Sequence, residues 1–127
     1  MTEVHLLIGY SIPAGFALLF VLTVYAFVRD RPPGGLFWNL LAALQIVLGI
    51  QLVVGVVLFA SGLRPRTQGP HWLHYVYGAV LPALVLVVAH RAAASERFRA
   101  IPWLAFGIAA FVCFASTFRA LQTGLGA

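Results

Sequence analysis

Four long stretches of this chain contain no charged residue, and they constrain its fold more than any other feature. They are Leu6–Val28, Leu36–Leu63, Trp72–Ala89 and Ile101–Phe118. Each is close to or above the roughly 20 residues with which a helix crosses about 30 Å of hydrocarbon. Membrane-barrel strands would alternate polar and apolar residues over about ten positions, and four strands could not close a barrel. The stretches therefore predict an all-α, integral membrane four-helix bundle of up-down-up-down topology.

The composition leaves no room for a soluble domain beside these helices. Apolar residues make up 62% of the 127 residues, charged residues only 9%, and the mean hydropathy is +0.99. A soluble domain could not bury so much apolar surface. We therefore expect one transmembrane domain over residues 1–127, with helices at about 5–28, 36–63, 71–90 and 101–119. Because Glu3 stands where a secretory signal carries positive charge, the first helix is expected to be retained.

The basic residues predict the orientation of the bundle. All eight are arginines at the ends of apolar stretches: Arg29, Arg31, Arg91, Arg97 and Arg99 on one side of the membrane, and Arg64, Arg66 and Arg119 on the other. Short loops rich in arginine stay in the cytoplasm, so this bias predicts a plasma or inner membrane protein with both termini outside the cytoplasm. The same placement accounts for the formal charge of +5 without a nucleic-acid partner.

An internal repeat relates the first helix to the third. Residues 5–13 and 74–82 both read H-x-x-x-G-x-x-x-P, which places the three residues along one side of each helix. The matched residues are His5, Gly9 and Pro13 in one copy, and His74, Gly78 and Pro82 in the other. Residues 59–69 and 114–124 both read F-A-S-x-x-R-x-x-x-x-G, at a different offset. Together the two matches predict a duplicated helical hairpin.

The repeated histidines and arginines are expected to share one level of the membrane. Antiparallel threading puts the starts of the first and third helices beside the ends of the second and fourth, at the outer face. Haem iron takes imidazole ligands from two sides, and guanidinium groups suit its propionates. The sequence therefore predicts bound haem b, with His5 and His74 as iron ligands and Arg64 and Arg119 at the propionates. His71, three residues before His74, is the second choice as a ligand, or a propionate contact.

Each of these residues also has a purely structural interpretation. Histidines at helix starts anchor at the interface, and arginines at helix ends extend toward water. Gly9 and Gly78 would let a porphyrin edge or a neighbouring helix approach, yet each also lies four residues before a proline and could ease a kink. Gln45 and Gln51 are costly in lipid, so we expect them to bond across helices or to a ligand. The shared offset, face and level favour haem binding.

The chain resembles one four-helix half of the haem A synthase family over most of its length. The resemblance rests on Leu44–Gly49, a short proline-containing outer loop, His74, and Arg119 followed by Thr123–Gly124. Residues 3–6, Glu-Val-His-Leu, are similar to that family's Glu-x-x-His-Arg motif, with a spacing shorter by one and leucine in place of arginine. The resemblance implies that His5 and His74 are axial haem ligands and that a homodimer would supply the second half. Cytochromes of the b561 type are a weaker resemblance.

Three functions agree with these observations. The three acidic residues all lie at or beyond helix ends, so no carboxylate pair or other catalytic set can be assembled. Two histidine ligands would leave the iron no open position, which favours electron transfer near the outer face. One alternative is a cofactor-free accessory subunit of a larger membrane complex, such as a respiratory complex. The other is a haem-modifying enzyme that resembles haem A synthase.

Overall fold

In the computed structural model, which describes residues 2–65 and 69–126, four helices form a bundle in which consecutive helices are antiparallel. Helix α1 is Thr2–Val28, α2 is Gly35–Ala60, α3 is Trp72–Ala93 and α4 is Pro102–Gly124. All four are long and apolar enough to span a membrane, which confirms the all-α membrane bundle predicted from the sequence. Arg66, used above to predict the orientation, lies outside the described residues.

Three helices end where a residue with positive φ turns the chain out of the helix, and Gly126 is that residue after α4. Gly62, with a φ of 86°, follows α2, and the Leu63 amide donates back to the Leu58 carbonyl. This hydrogen bond satisfies one of the carbonyls left free at a helix end. Asp30, with a φ of 53°, takes the same place after α1. The turn at Gly62 stops α2 at Ala60, although the apolar stretch continues to Leu63.

The two hairpins, α1–α2 and α3–α4, approach most closely where α1 meets α4. Helix α1 packs against α2 and α4, and α3 packs against α4. Gly107 of α4 lies so close to Thr23 of α1 that a Cβ at position 107 would overlap the threonine side chain. The fully buried Phe16 and Leu19 belong to the same core. Small residues thus let α1 and α4 come together, as they do at many membrane helix interfaces.

Large apolar side chains cover the outside of the bundle. Val21, Ile46, Val87 and Ile108, one from each helix, all leave more than half of their surface exposed. Apolar surface distributed over all four helices is unfavourable in water and suits the hydrocarbon of a bilayer. The chain is therefore an integral membrane protein whose outer surface contacts lipid.

Helix α3 is interrupted by a π-helical segment between two α-helical parts. The three pieces are Trp72–Tyr75, Val76–Val80 and Leu81–Ala93. Pro82, which follows the π segment, has no amide hydrogen to donate to a carbonyl of the preceding turn. The hydroxyl of Ser116 in α4 donates to the Tyr77 carbonyl in that turn. Single-turn π segments are frequent at functional sites, and this one begins two residues after His74.

Candidate functional site

His5 and His74 meet at the end of the bundle that holds the starts of α1 and α3 and the ends of α2 and α4, called here the histidine end. Their ring centroids are 6.2 Å apart and their ring planes are inclined by 59°. Both side chains are partly buried. Because α1 and α3 do not pack against each other along their length, the two imidazoles approach across the interior of the bundle. The structure thus brings the two repeated histidines together.

The His74 ring is held in one orientation by α4. Its Nδ1 lies 2.9 Å from the Ala120 carbonyl oxygen and 3.1 Å from Oγ1 of Thr123. A carbonyl oxygen can only accept, so Nδ1 carries the proton and donates it. Nε2 then keeps its lone pair, which is the form in which a histidine binds a metal. The Thr123 hydroxyl itself donates to the Ala120 carbonyl at 2.8 Å, so its oxygen can accept from the ring.

His5 is held through its backbone rather than through its ring. Nε2 of Gln51 in α2 donates to the His5 carbonyl at 2.8 Å, a bond across helices of the kind expected for a glutamine in a membrane span. Nδ1 of His5 and Oε1 of Gln51 are both buried, and neither has a hydrogen-bond partner within residues 2–65 and 69–126. These two atoms therefore have hydrogen-bonding capacity that the described residues do not use.

Two glycines leave space for the imidazoles beside the helix backbone. A Cβ at Gly55 would lie 3.5 Å from Cε1 of His5, and a Cβ at Gly124 would lie 3.1 Å from Cε1 of His74. Carbon atoms pack best at about 3.5–4.0 Å. Position 124 is therefore the tighter of the two, and any side chain there would press on the ring.

These contacts relate the two hairpins by a single offset. The two histidines are 69 residues apart in the sequence, and so are Gly55 and Gly124. Gln51 and Ala120, which bond the two histidines, are also 69 residues apart, and each follows its histidine by 46 residues. The F-A-S match pairs α2 with α4 at an offset of 55 and so does not relate positions with equivalent contacts. The repeat thus includes α2 and α4, in a register different from the one that the F-A-S match indicates.

Gly9 and Gly78 make equivalent contacts one turn further into the bundle. A Cβ at Gly9 would lie 3.5 Å from Nε2 of Gln51, and a Cβ at Gly78 would lie 3.3 Å from Cβ of Ala120. The sequence allowed a porphyrin edge or a neighbouring helix to approach these glycines, and the contacts in the structure are with a neighbouring helix. The two glycines let α2 and α4 approach, and so help to bring Gln51 and Ala120 to the histidines.

The arginines and His71 lie at the histidine end without a described contact to either imidazole. Nη1 of Arg64 donates to the Phe59 carbonyl at 2.9 Å, and its guanidinium carbon lies 4.0 Å from the centroid of the Phe59 ring. Arg119 is exposed, and its Nη1 donates to Oε1 of Gln122 at 3.3 Å. His71 is exposed at the start of α3. The ligand and propionate roles given to these three residues stay predictions.

A separate polar pair joins α2 to α3 at the opposite end of the bundle. Nε2 of His90 lies 2.7 Å from Oε1 of Gln45, and the His90 ring packs edge-on against Phe106 at 4.9 Å between centroids. Trp38 of α2 packs against the same Phe106 at 5.8 Å. The Gln45 side chain therefore bonds across helices, as its cost in lipid led us to expect.

Sequence reasoning did not identify the residues that surround the two imidazoles. Gln51 was expected to bond across helices or to a ligand, but its partner was not known; Thr123 entered only through the family resemblance, and Gly124 only through that resemblance and as the last residue of the F-A-S match. Aligning the whole chain with itself at an offset of 69 would have found the Gly55–Gly124 pair. Ala120 acts through its backbone carbonyl, for which a sequence carries no signal.

Two histidines alone provide too few ligands for a bare metal ion, so a metal bound here would need most of its ligands from a cofactor such as a porphyrin. No group of three or more His, Cys, Asp or Glu side chains in the described part of the chain could hold a metal ion. A porphyrin fills the equatorial positions of its iron and leaves the two axial ones to the protein. Two imidazoles on opposite sides of one metal, at about 2 Å per bond, have ring centres about 6 Å apart. The separation of 6.2 Å between the His5 and His74 rings fits this arrangement.

Comparison of the chain with protein-family models, with curated proteins and with solved structures found no match. The function is therefore argued from the geometry of the site.

Proposed function

We propose that this protein binds haem b between His5 and His74 and transfers electrons at the histidine end of the bundle. The observation that carries the proposal is the pair of imidazoles approaching across the bundle interior, 6.2 Å apart. The hydrogen bond from Nδ1 of His74 to Ala120 supports it, because it leaves Nε2 with the lone pair that an iron ligand needs. Arg64 and Arg119, both exposed at this end, would bind the propionates.

Two axial histidines favour electron transfer over chemistry on a bound substrate. If His5 and His74 both bind the iron, no position would be left at which oxygen or a substrate could bind it. Haem would supply the redox chemistry. His5 and His74 would hold it, and the protein would tune it through hydrogen bonds to these histidines and through burial. The distribution of arginines between the two ends supports an outer location for the site.

An absorption spectrum of the full-length protein, purified in detergent, tests the proposal. We expect a Soret band and, after reduction, sharp α and β bands, with about one haem b extracted per chain. His5→Ala and His74→Ala should each abolish these bands. His90→Ala is the matched control, because it makes the same substitution at the opposite end of the helix that carries His74, and it should keep them. Helix content measured by circular dichroism shows that each variant has folded.

A pure, folded protein that is colourless and does not take up added haemin would overturn the proposal and favour a cofactor-free accessory subunit. A chemically altered haem in the extract would favour a haem-modifying enzyme instead. Retention of the bands in either His5→Ala or His74→Ala would exclude that histidine as a ligand, and the next variant to test would then be His71→Ala.

A further inference from the structure

Two buried polar atoms at this site have no hydrogen-bond partner among the described residues, and they belong to His5 and Gln51, which are already in contact. Nε2 of Gln51 donates to the His5 carbonyl at 2.8 Å, which fixes the orientation of the amide and leaves Oε1 as the free acceptor. The His5 ring lies over the next turn of the same helix, where Cε1 faces Gly55. His5 of α1 therefore contacts α2 at Gln51 and at Gly55, and both residues that carry an unpaired buried atom belong to this contact.

Leaving both atoms unpaired would destabilise the fold, because a buried polar atom without a partner loses the hydrogen bonds that it makes to water in the unfolded chain. Buried polar atoms without a protein partner are commonly satisfied by an ordered water, which makes two to four hydrogen bonds. One water between these two residues would accept from Nδ1–H of His5 and donate to Oε1 of Gln51. This single molecule would satisfy both atoms.

The second hairpin shows how a hydrogen bond made by Nδ1 orients a histidine ring. Ala120, the equivalent of Gln51, has a side chain so small that the His74 ring reaches its carbonyl directly, at 2.9 Å. In the first hairpin, Gln51 stands at the position of Ala120 and its Nε2 bonds to the His5 carbonyl, while Nδ1 of His5 has no partner among the described residues. With the bridging water, the outcome for the ring would be the same: a proton on Nδ1 and a lone pair on Nε2.

We propose that one buried water links Nδ1 of His5 to Oε1 of Gln51, and that Gln51 is thereby the positioning residue that fixes the orientation and tautomer of His5. The water and the tautomer are properties of the chain alone. The effect on a bound iron rests on the function proposed above. Polar groups that orient a metal-binding histidine commonly change metal affinity by about 10–100-fold when they are removed.

The test combines two variants of α2 with two measurements on the full-length protein in detergent: nitrogen-15 NMR of the haem-free protein, and haem retention by the reduced, haem-bound protein. Gln51→Leu removes the acceptor and keeps the bulk of the side chain. Gln45→Leu makes the same change six residues earlier in the same helix, where the glutamine bonds His90. Nitrogen-15 NMR of histidine-labelled protein should show His5 protonated at Nδ1 in the wild type and in Gln45→Leu, and a mixture of tautomers in Gln51→Leu.

The second measurement is haem retention during titration with a competing haem-binding protein. We expect Gln51→Leu to bind haem at least 10-fold more weakly than the wild type, and Gln51→Glu, which restores an acceptor oxygen, to recover the Nδ1-protonated form. An unchanged His5 signal in Gln51→Leu would overturn the proposal. A colourless wild-type protein would instead overturn the proposed function, and the NMR experiment would still decide on the tautomer.

Discussion

The two hairpins carry the same motif and support their histidines in different ways. In α3–α4, the His74 ring bonds to a backbone carbonyl, and Gly124 lies close against it. In α1–α2, Gln51 reaches the His5 carbonyl, and the ring nitrogen Nδ1 has no partner among the described residues. Helix α3 also contains a π segment directly after its histidine, whereas α1 is α-helical from Thr2 to Val28.

This difference shows that the repeated backbone and the individual side chains have separate roles. The backbone repeat places both imidazoles at the same end of the bundle, facing each other. The side chain at the bonding position, glutamine in α2 and alanine in α4, then decides how each ring is held. The small side chain of Ala120 lets the His74 ring bond directly to the main-chain carbonyl, so His74 is the fixed ring of the pair. His5 depends on a side chain that can be replaced, so it is the adjustable one.

The largest expected effect concerns the contact that holds the hairpins together. A Cβ at Gly107 would overlap Thr23 of the other hairpin, and Thr23 is branched at its own Cβ, close to the backbone, so it cannot move aside. We expect Gly107→Ala to destabilise the protein by about 1–3 kcal/mol. Gly15→Ala is the control: its Cβ would meet the flexible end of Leu44 within the first hairpin, and the helix gains from alanine.

Unfolding of both variants in mixed detergent, followed by circular dichroism, measures this difference. Equal stability of Gly107→Ala and Gly15→Ala would show that the interface between hairpins adapts as easily as the contact within one.

The next effect concerns the space beside each ring. Gly124→Ala would place a Cβ 3.1 Å from Cε1 of His74, below ordinary contact, whereas Gly55→Ala would place one at 3.5 Å from His5. If both rings ligate haem, Gly124→Ala should weaken haem binding by about 10-fold and Gly55→Ala by much less. Haem transfer to a competing acceptor measures both. A larger loss in Gly55→Ala would reverse the assignment of His74 as the more tightly held ring.

A smaller effect is expected for the two serines that donate a hydrogen bond to the helix turn before each repeated proline. The Tyr77 carbonyl receives a hydroxyl from Ser116 of α4, whereas the equivalent Ile8 carbonyl receives one from Ser11 of its own helix. Ser116→Ala should cost about 1 kcal/mol, because it removes a bond between two helices and leaves a carbonyl beside the π segment with one partner fewer. Ser11→Ala removes an exposed local bond and should cost less. Thermal unfolding in detergent compares them.

The smallest effect is expected for a substitution that makes one hairpin more like the other. Thr123 is valine in the first hairpin, at position 54, so Thr123→Val exchanges one copy's residue for its counterpart. The variant loses the bonds of the hydroxyl to His74 and to Ala120, while the ring keeps its direct bond to the Ala120 carbonyl. We expect a loss of stability of about 0.5–1 kcal/mol and an unchanged His74 tautomer in nitrogen-15 spectra. A changed tautomer would mean that the threonine, not the carbonyl, fixes the ring.

The sequence predicted the membrane spans well because each span depends on its own residues. A segment in lipid must satisfy its backbone hydrogen bonds internally, so about 20 apolar residues are enough to predict a helix. The ends were harder to predict. Helix α4 continues to Gly124, beyond the end expected at Arg119, because an arginine can extend its side chain toward water without ending the helix.

The candidate site was predicted only in part, for a related reason. Antiparallel threading was enough to expect His5 and His74 at one level of the membrane. Gln51 and Ala120 each lie 46 residues after the histidine that they bond, and their contact depends on how each helix is rotated about its axis. The short match at residues 59–61 and 114–116 indicated a wrong register for α2 and α4, because identical letters do not report which side of a helix faces the interior.

By itself, the sequence determined that this chain crosses a membrane four times and that two copies of H-x-x-x-G-x-x-x-P begin two of its helices. Only the tertiary structure decided that the two imidazoles lie 6.2 Å apart, that one is held by a backbone carbonyl, and that the other has a ring nitrogen without a partner in the part of the chain that the structure describes. Whether a helix can span a membrane depends on the hydropathy of its own residues, so it can be predicted from the sequence of that helix alone. The rotation of a helix about its own axis, which aims every side chain, is set by close packing against its neighbours.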